Sequence, residues 1–167
     1  KDELNKPVEI LRFAELSSDM TVLNLSPVNE FYNELLNNVI NEDKNGSVID
    51  ADIDNFNSNE SSLDRVFMIE SYHKLYSDLS VSKTDAVQKF LKKVRHALKP
   101  GGLVIVIDHD AEKGSSIATA SSINRLSDEI VMSDMKKAGF EFVDNIHILK
   151  DDWEDDLTIS AFDPSVI

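Results

Sequence analysis

The chain has 167 residues, 41% hydrophobic and 29% charged, which is enough apolar content for one packed core and a single domain over residues 1–167. Its 17 basic and 31 acidic side chains give a formal net charge of -14, which argues against a broad phosphate-binding surface and so against nucleic acid as a partner. No run approaches the roughly 18 apolar residues of a membrane span, no signal-peptide order opens the chain, and the lack of cysteine excludes disulfides, thiol catalysis and Cys-ligated zinc.

These features read as a cytoplasmic protein, with an exported form left open by a start at Lys1 rather than at methionine. Pro7 fits a first helical turn, and Ile10, Leu11 and Ala14 follow on one face, predicting a short helix that ends near Ser17. Thr21 to Leu25 reads as a buried strand. Phe31, Tyr32, Leu35, Leu36, Val39 and Ile40 then recur at helical spacing before the Asn45-Gly46 turn, and Val48 to Ile53 returns to a strand.

After a polar stretch, Arg65 to Ile69 reads as a third strand. Ala86, Val87, Phe90, Leu91, Val94 and Leu98 mark an amphipathic helix stopped by Pro100-Gly101-Gly102. On this helix the basic cluster Lys92, Lys93, Arg95 and Lys99 reads as a solvated face. Leu103 to Ile107 is apolar at every position, which predicts a central parallel strand covered on both faces. Ser127 caps a last helix with Asp128 and Glu129 in its first turn, Gly139 supplies a left-handed stop, and Phe140 to Leu149 is a final strand candidate. Alternating strands and helices predict an α/β layered sheet.

Several segments, taken in order, resemble the class I S-adenosylmethionine-dependent methyltransferases, and more narrowly a poorly characterised bacterial group of predicted methyltransferases. They are Lys6-Pro7-Val8-Glu9-Ile10-Leu11-Arg12-Phe13, Tyr72-His73-Lys74-Leu75-Tyr76, Leu98-Lys99-Pro100-Gly101-Gly102, and Ile107-Asp108-His109 with Gly114. Ile123-Asn124-Arg125-Leu126, Ala138-Gly139-Phe140 and Phe162-Asp163-Pro164 complete the set, which covers nearly the whole chain. The resemblance implies a Rossmann-like methyltransferase fold: three layers around an open, mainly parallel sheet. Pro100-Gly101-Gly102 by itself is equally a helix stop and turn in any α/β protein.

The cofactor implied is S-adenosylmethionine, with Asn24, Ser26, Asp52 and Glu70 as its candidate contacts. Asp52, at the expected end of the second strand, would accept the ribose hydroxyls, with Asp54 as its substitute if the register slips and an ordinary solvated strand end as the alternative. The loop after the first strand, Asn24-Leu25-Ser26-Pro27-Val28-Asn29-Glu30, lacks the family's glycines. Val28 adds bulk, and Glu30 places its own carboxylate where an anionic ligand would meet the helix N-terminus, so the cofactor is expected to bind weakly or not at all. The chain also reads either as a reduced member or as a sequence that omits segments of a longer one. Asn55 to Leu63 is too short for the strand and helix that the family inserts there, and the last antiparallel strand is missing after Phe162-Asp163-Pro164.

His73 and His109 are candidate general bases, because imidazoles as a class titrate near neutral pH. Tyr72, Asp108 and Arg125 are candidate orienting or substrate-binding groups, and Asn124 stands where relatives often carry His. His96 and His147 take no role. The pairs Tyr72-His73 and Asp108-His109 follow predicted parallel strands, which places them at the carboxyl edge where open α/β sheets bind ligands. Two functions compete: methyl transfer to an unknown small-molecule or protein substrate, and a non-catalytic binding or assembly protein on the same scaffold. The short second connection is expected to bare part of one sheet face, for which a homodimer is the simplest partner.

Overall fold

The computed structural model describes residues 6–25, 29–40, 45–77, 83–146, 157 and 160. In chain order the elements are α1 (Pro7–Phe13), β1 (Thr21–Asn24), α2 (Glu30–Ile40), β2 (Ser47–Asp50), β3 (Leu63–Ile69), a 3₁₀ turn (Tyr72–Tyr76), α3 (Lys83–Ala97), β4 (Leu98–Ile107), α4 (Ala118–Ser122) and α5 (Asp128–Lys137). The four strands form one parallel sheet in the order β2-β1-β3-β4.

The period-2 alternation of strand side chains divides the core in two. Val22, Phe67, Ile69 and Ile105 face one side with Ile10, Ala14, Leu36 and Ile40 of the α1 and α2 region, while Leu23, Val66 and Met68 face the other with Val87, Leu91 and Val94 of α3. The result is a three-layer α/β/α arrangement of the Rossmann type. β1 pairs with β3, and β3 with β4, as predicted, with Leu23 opposite Val66 and Phe67 opposite Ile105.

Several predicted elements change. The first helix ends at Phe13, well short of Ser17, and the second strand ends at Asp50 instead of Ile53. Among the described residues β4 is the outer strand of the four, where a central position was expected for Leu103 to Ile107. Its residues are correspondingly half-buried except for Ile105. Strand order depends on where each crossover returns, and an apolar run reports hydrophobic neighbours without saying which strand supplies them. The final strand candidate also fails where it is described: residues 140–146 make no strand, and Phe142 and Val143 are exposed, while residues 147–149 lie outside the described residues.

Pro100-Gly101-Gly102 does more than stop a helix. α3 passes directly into β4, where Leu98 already pairs with Leu63, and the pairing then jumps to Arg65 with Leu103. The intervening residues bulge out, and Gly101 carries the left-handed φ of 79° that this bulge needs. A Cβ on Gly102 would lie 2.8 Å from Leu98 Cδ2 and 2.9 Å from the Lys99 carbonyl oxygen, so no side chain fits there. The predicted cap of α5 is present: Ser127 Oγ accepts the Glu129 backbone N–H at 3.3 Å, and Gly139 follows at φ 92°.

The connection from β2 to β3 contains no helix among the described residues, in keeping with a reduced fold. It nevertheless does not bare the sheet as expected. Phe56 is buried in the same cluster as Leu23, Leu25, Ala51 and Ile53, and it meets Phe90 edge-on at 5.6 Å between ring centroids. Lys93 lies 4.3 Å above the Phe56 ring and donates to the Phe56 carbonyl. A single aromatic side chain thus does much of the covering that the absent helix would have done.

Candidate functional site

Parallel strands bring their carboxyl ends to one edge. Asn24 of β1 lies opposite Asp50 of β2, and Ile69 of β3 lies opposite Ile107 of β4, so Glu70 and Asp108 follow at neighbouring strand ends. The chain runs from β1 out to β2, then returns to the other side of β1 for β3 and β4. This makes the gap between β1 and β3 the topological switch point, where open α/β sheets bind ligands.

Glu70 sits at that gap in a left-handed backbone conformation, φ 50°, a sparsely populated one for a residue with a Cβ. Its N–H donates to the Ile107 carbonyl at 2.7 Å, which fixes the turn against β4. The half-exposed carboxylate lies between two groups: Asn29 Nδ2 donates to Oε2 at 3.4 Å, and His109 Nε2 stands 3.9 Å from Oε1. The His109 side chain keeps 31% of its surface open. Across β1, Asn24 Nδ2 donates to Asp50 Oδ1 at 3.0 Å.

Behind this rim, Asp108 organises the two histidines. Its Oδ2 accepts the His73 backbone N–H at 2.9 Å, and its Oδ1 is 2.8 Å from His73 Nδ1 and accepts the His109 N–H at 2.9 Å. His73 is only 2% exposed. A carboxylate on Nδ1 selects the tautomer with its proton there, leaving Nε2 as the basic nitrogen.

The other candidates are placed differently. Tyr72 is fully buried and its hydroxyl donates to Asp134 Oδ2 at 3.1 Å, an oxygen it shares with the Tyr76 hydroxyl at 2.5 Å. Burial, reinforced for Tyr72 first by the charge of Asp134, pushes both phenols well above their ordinary range. This gives Tyr72 a packing contact between the 3₁₀ turn and α5. Arg125 is likewise fully buried, and one guanidinium nitrogen donates to the Asp110 carbonyl at 3.0 Å, holding the segment after β4. Asp52 is exposed in the turn beyond β2, two residues past the strand end, and Ser26 lies outside the described residues. The structure therefore brings Glu70, His109, Asp108 and His73 together, and Asn24 to Asp50, while Tyr72 and Arg125 serve the walls.

Three residues escape sequence reasoning: Asp134, Asn29 and Tyr32. Tyr32 reads in the sequence as one more position on the apolar stripe of α2, and its polar tip was the only signal. It is 4% exposed, and its hydroxyl is buried without a hydrogen-bond partner among the described residues. Burial and then the negative charge of Glu70 push this phenol up to about 12. Among the described residues no group of His, Asp and Glu is arranged to hold a metal ion, and no helix is long and apolar enough to cross a membrane.

No protein-family model and no curated protein sequence matches the chain. Solved structures do. An S-adenosylmethionine-dependent methyltransferase from Aquifex aeolicus is similar at 22% identity and TM-score 0.60, over 83% of this chain and 81% of that one. One from Mesorhizobium loti is similar at 12% identity and TM-score 0.51, over 83% and 81%. Phosphoethanolamine N-methyltransferase 2 of Haemonchus contortus, solved with S-adenosyl-L-methionine, is similar at 15% identity and TM-score 0.51, over 81% of this chain and 36% of that one. At these identities the likeness concerns the fold, and it agrees with the parallel sheet and its switch point: the chain has a Rossmann-like fold similar to that of these solved methyltransferases.

Proposed function

We propose that this protein binds S-adenosylmethionine at the gap between β1 and β3 and methylates a small-molecule or protein nucleophile. The observation that carries this reading is the meeting of Glu70, Asn29 and His109 at the switch point of a methyltransferase-type sheet. Residues at the edge suit the adenosyl and sulfonium parts of that cofactor. Asp52 is exposed and able to accept ribose hydroxyls, Asn24 ends β1 two residues before Ser26 in the sequence, and the Glu70 carboxylate supplies negative charge for a positively charged sulfur. Glu30, in the first turn of α2, opposes the cofactor's own carboxylate, so binding is weak.

When bound, S-adenosylmethionine supplies an electrophilic methyl group. The chain's own contribution is then positioning and proton handling. His109, open at the rim, takes a proton from a protonated nucleophile at Nε2, and Glu70 beside it steadies the imidazolium that results. Asp108 fixes His73 and the His109 backbone, so the rim histidine stands on a hydrogen-bonded base. Tyr72 through Asp134 and Arg125 through Asp110 hold the walls that orient the substrate.

Calorimetric titration with S-adenosylmethionine and S-adenosylhomocysteine tests this reading without a known substrate. Heat of binding from both supports it. No binding by either at millimolar concentration favours the second reading, a non-catalytic binding or assembly protein, to which the Glu30 carboxylate at the helix N-terminus and the helix-free β2–β3 connection point.

A further inference from the structure

The fold treats the cations of α3 and α5 unequally. From Ala86 to Ala97, α3 carries no acidic residue. Lys93 turns inward to the Phe56 carbonyl, His96 Nδ1 stands 3.9 Å from Glu60, and Lys99, just past the helix, pairs with Asp64 at 2.8 Å. Lys89 and Lys92 are exposed and have no ion-pair partner among the described residues, and the same holds for Lys136 and Lys137 in the last turn of α5. The two helices lie side by side: Gln88 Nε2 donates to the Asp134 carbonyl at 3.1 Å, and Arg95 Nε donates to the Gly139 carbonyl at 3.0 Å. Gln88, Lys92 and Arg95 recur at i, i+4 and i+7, one stripe of a helix, so Lys92 lies between these two contacts on α3, and Lys136 and Lys137 lie between them on α5. With Lys89 one turn before Lys92, these cations share one face of a chain whose net charge is -14. Helix C-termini attract cations, which accounts for Arg95, Lys136 and Lys137. It does not account for Lys89 and Lys92, which stand more than a turn before the end of α3.

We propose that this face of α3 and α5 docks an extended acidic segment of a partner protein. Complementary charge supplies the attraction, and the surroundings of the face select the kind of partner. Three exposed carboxylates border it: Asp85 one turn before Lys89, Glu60 beside His96, and Glu141 two residues beyond Gly139. A membrane surface or a nucleic-acid duplex presses phosphates against these carboxylates as well as against the lysines, whereas a single extended chain meets the lysines alone. From Lys89 to Arg95 the face runs about 9 Å at 1.5 Å per residue, and a packed neighbouring helix adds about 8–10 Å across, a footprint that about four to six extended residues cover. Lysine, a hydrated point charge on a flexible stem, suits carboxylates of varied spacing better than the rigid fork of arginine. The net charge does not forbid the approach. Ser61 and Ser62 donate to the His96 and Ala97 carbonyls, so the face stands at the amino end of the sheet. Asp50, Glu70, Asp108 and Asp110 gather at the other end, about 20 Å away along β3 at roughly 3.3 Å per residue. That is more than two screening lengths of about 8 Å at physiological salt, and docking leaves the rim of Glu70 and His109 open.

The test is fluorescence anisotropy of the full chain with a labelled hexaglutamate peptide, and hexaglutamine as its neutral match, at about 50 and about 300 mM salt. Hexaglutamate is expected to bind and hexaglutamine not, with affinity falling at least about tenfold between the two salt levels. Lys89→Gln, Lys92→Gln and Lys137→Gln together should weaken hexaglutamate binding by at least about tenfold. Arg12→Gln, Lys74→Gln and Lys113→Gln together change the net charge equally at exposed positions elsewhere, and should leave binding within about twofold. Thermal melting of both triple variants establishes that they are folded. Absence of hexaglutamate binding at low salt overturns the proposal, as does an equal loss in the two triple variants, which would reduce the attraction to overall charge. Tighter binding to vesicles of about 30% phosphatidylglycerol, or to an RNA duplex, that is lost in the same lysine variant assigns the face to an extended phosphate surface and overturns the acidic segment as its partner.

Discussion

His73 and Asp108 meet twice, since the carboxylate of Asp108 lies on both the backbone N–H of His73 at 2.9 Å and its Nδ1 at 2.8 Å. The contact ties the turn after β3 to the end of β4, two segments 35 residues apart. The same carboxylate accepts the His109 N–H, so one side chain sets the backbone of both histidines.

Asp108→Ala should therefore destabilise the fold as well as disturb the rim. It leaves donors of His73 and His109 without their acceptor, and each buried donor so orphaned costs about 1–3 kcal/mol. Urea denaturation should show a lower midpoint for the alanine variant, with Asp108→Asn intermediate because an amide oxygen can still accept. An alanine variant as stable as the parent would mean that the contact organises nothing.

Alkaline pH should unfold the protein through its buried tyrosines. Tyr32 is held up to about 12, and Tyr72 and Tyr76 are pushed higher still. A phenol raised above its unfolded value, roughly 10, favours the folded state at every pH below that value, and the contribution is lost as pH climbs from there through the folded value. Stability should thus be flat through neutrality and fall from about pH 10 upward. Tyr32→Phe removes one titrating group, so its fall up to about 12 should be shallower than that of the parent. Parallel curves would show that the Tyr32 phenol ionises as freely in the fold as outside it.

At the opposite end of the sheet Asp64 governs behaviour in acid. Burial would raise this carboxyl, but the hydrogen bonds from Lys99 Nζ and the Thr21 N–H, both at 2.8 Å, and the charges of Lys99 and Arg65 hold it below its ordinary value. A depressed carboxyl contributes stability above its unfolded value, roughly 3.9, and loses that contribution as pH falls through the folded one. Asp64→Asn should narrow the difference in stability between pH 7 and acid. Because the pair is partly exposed, 0.5 M salt should weaken the effect in the parent.

The loop before α2 makes the cofactor claim sharply testable. Glu30 is exposed in the first turn of that helix, where a carboxylate interacts with the helix dipole by about 0.3–1 kcal/mol. Glu30→Gln should strengthen S-adenosylhomocysteine binding by roughly two- to fivefold, and addition of Val28→Gly, a residue outside the described ones, should strengthen it further. Tight binding by the unaltered chain would show that the loop accommodates the ligand without glycine.

Self-association is expected through the exposed apolar segment after α5. Phe142 is 61% and Val143 74% exposed, close in sequence to the half-exposed Ile146. A charge of -14 per chain opposes a homodimer at low salt, and screening over roughly 8 Å at physiological ionic strength removes much of that opposition. Sedimentation should show association that tightens as salt rises and weakens in the Phe142→Ser, Val143→Ser double variant. A monomer at both salt levels across micromolar concentrations would count against the homodimer.

The features legible in the sequence are those fixed by near neighbours. Helical periodicity marked α1, α2 and α3, the Ser127 cap and Gly139 stop bounded the last helix, and apolar runs marked β1, β3 and β4, because each signal depends on residues within one or two turns. His73 and Asp108 could be assigned to one edge for the same reason: each follows a parallel strand. Their contact could not, nor could the approach of Asn29 to Glu70 or of Tyr72 to Asp134, since each pair is separated by more than 30 residues and meets only through strand order, register and the packing of helices on the sheet. The outer position of β4 among the described residues was hidden likewise, because an apolar run specifies that a strand is covered, and only the sheet decides by what. Local sequence determined which segments could fold, and tertiary structure decided which polar groups would be left facing one another in a place with little water.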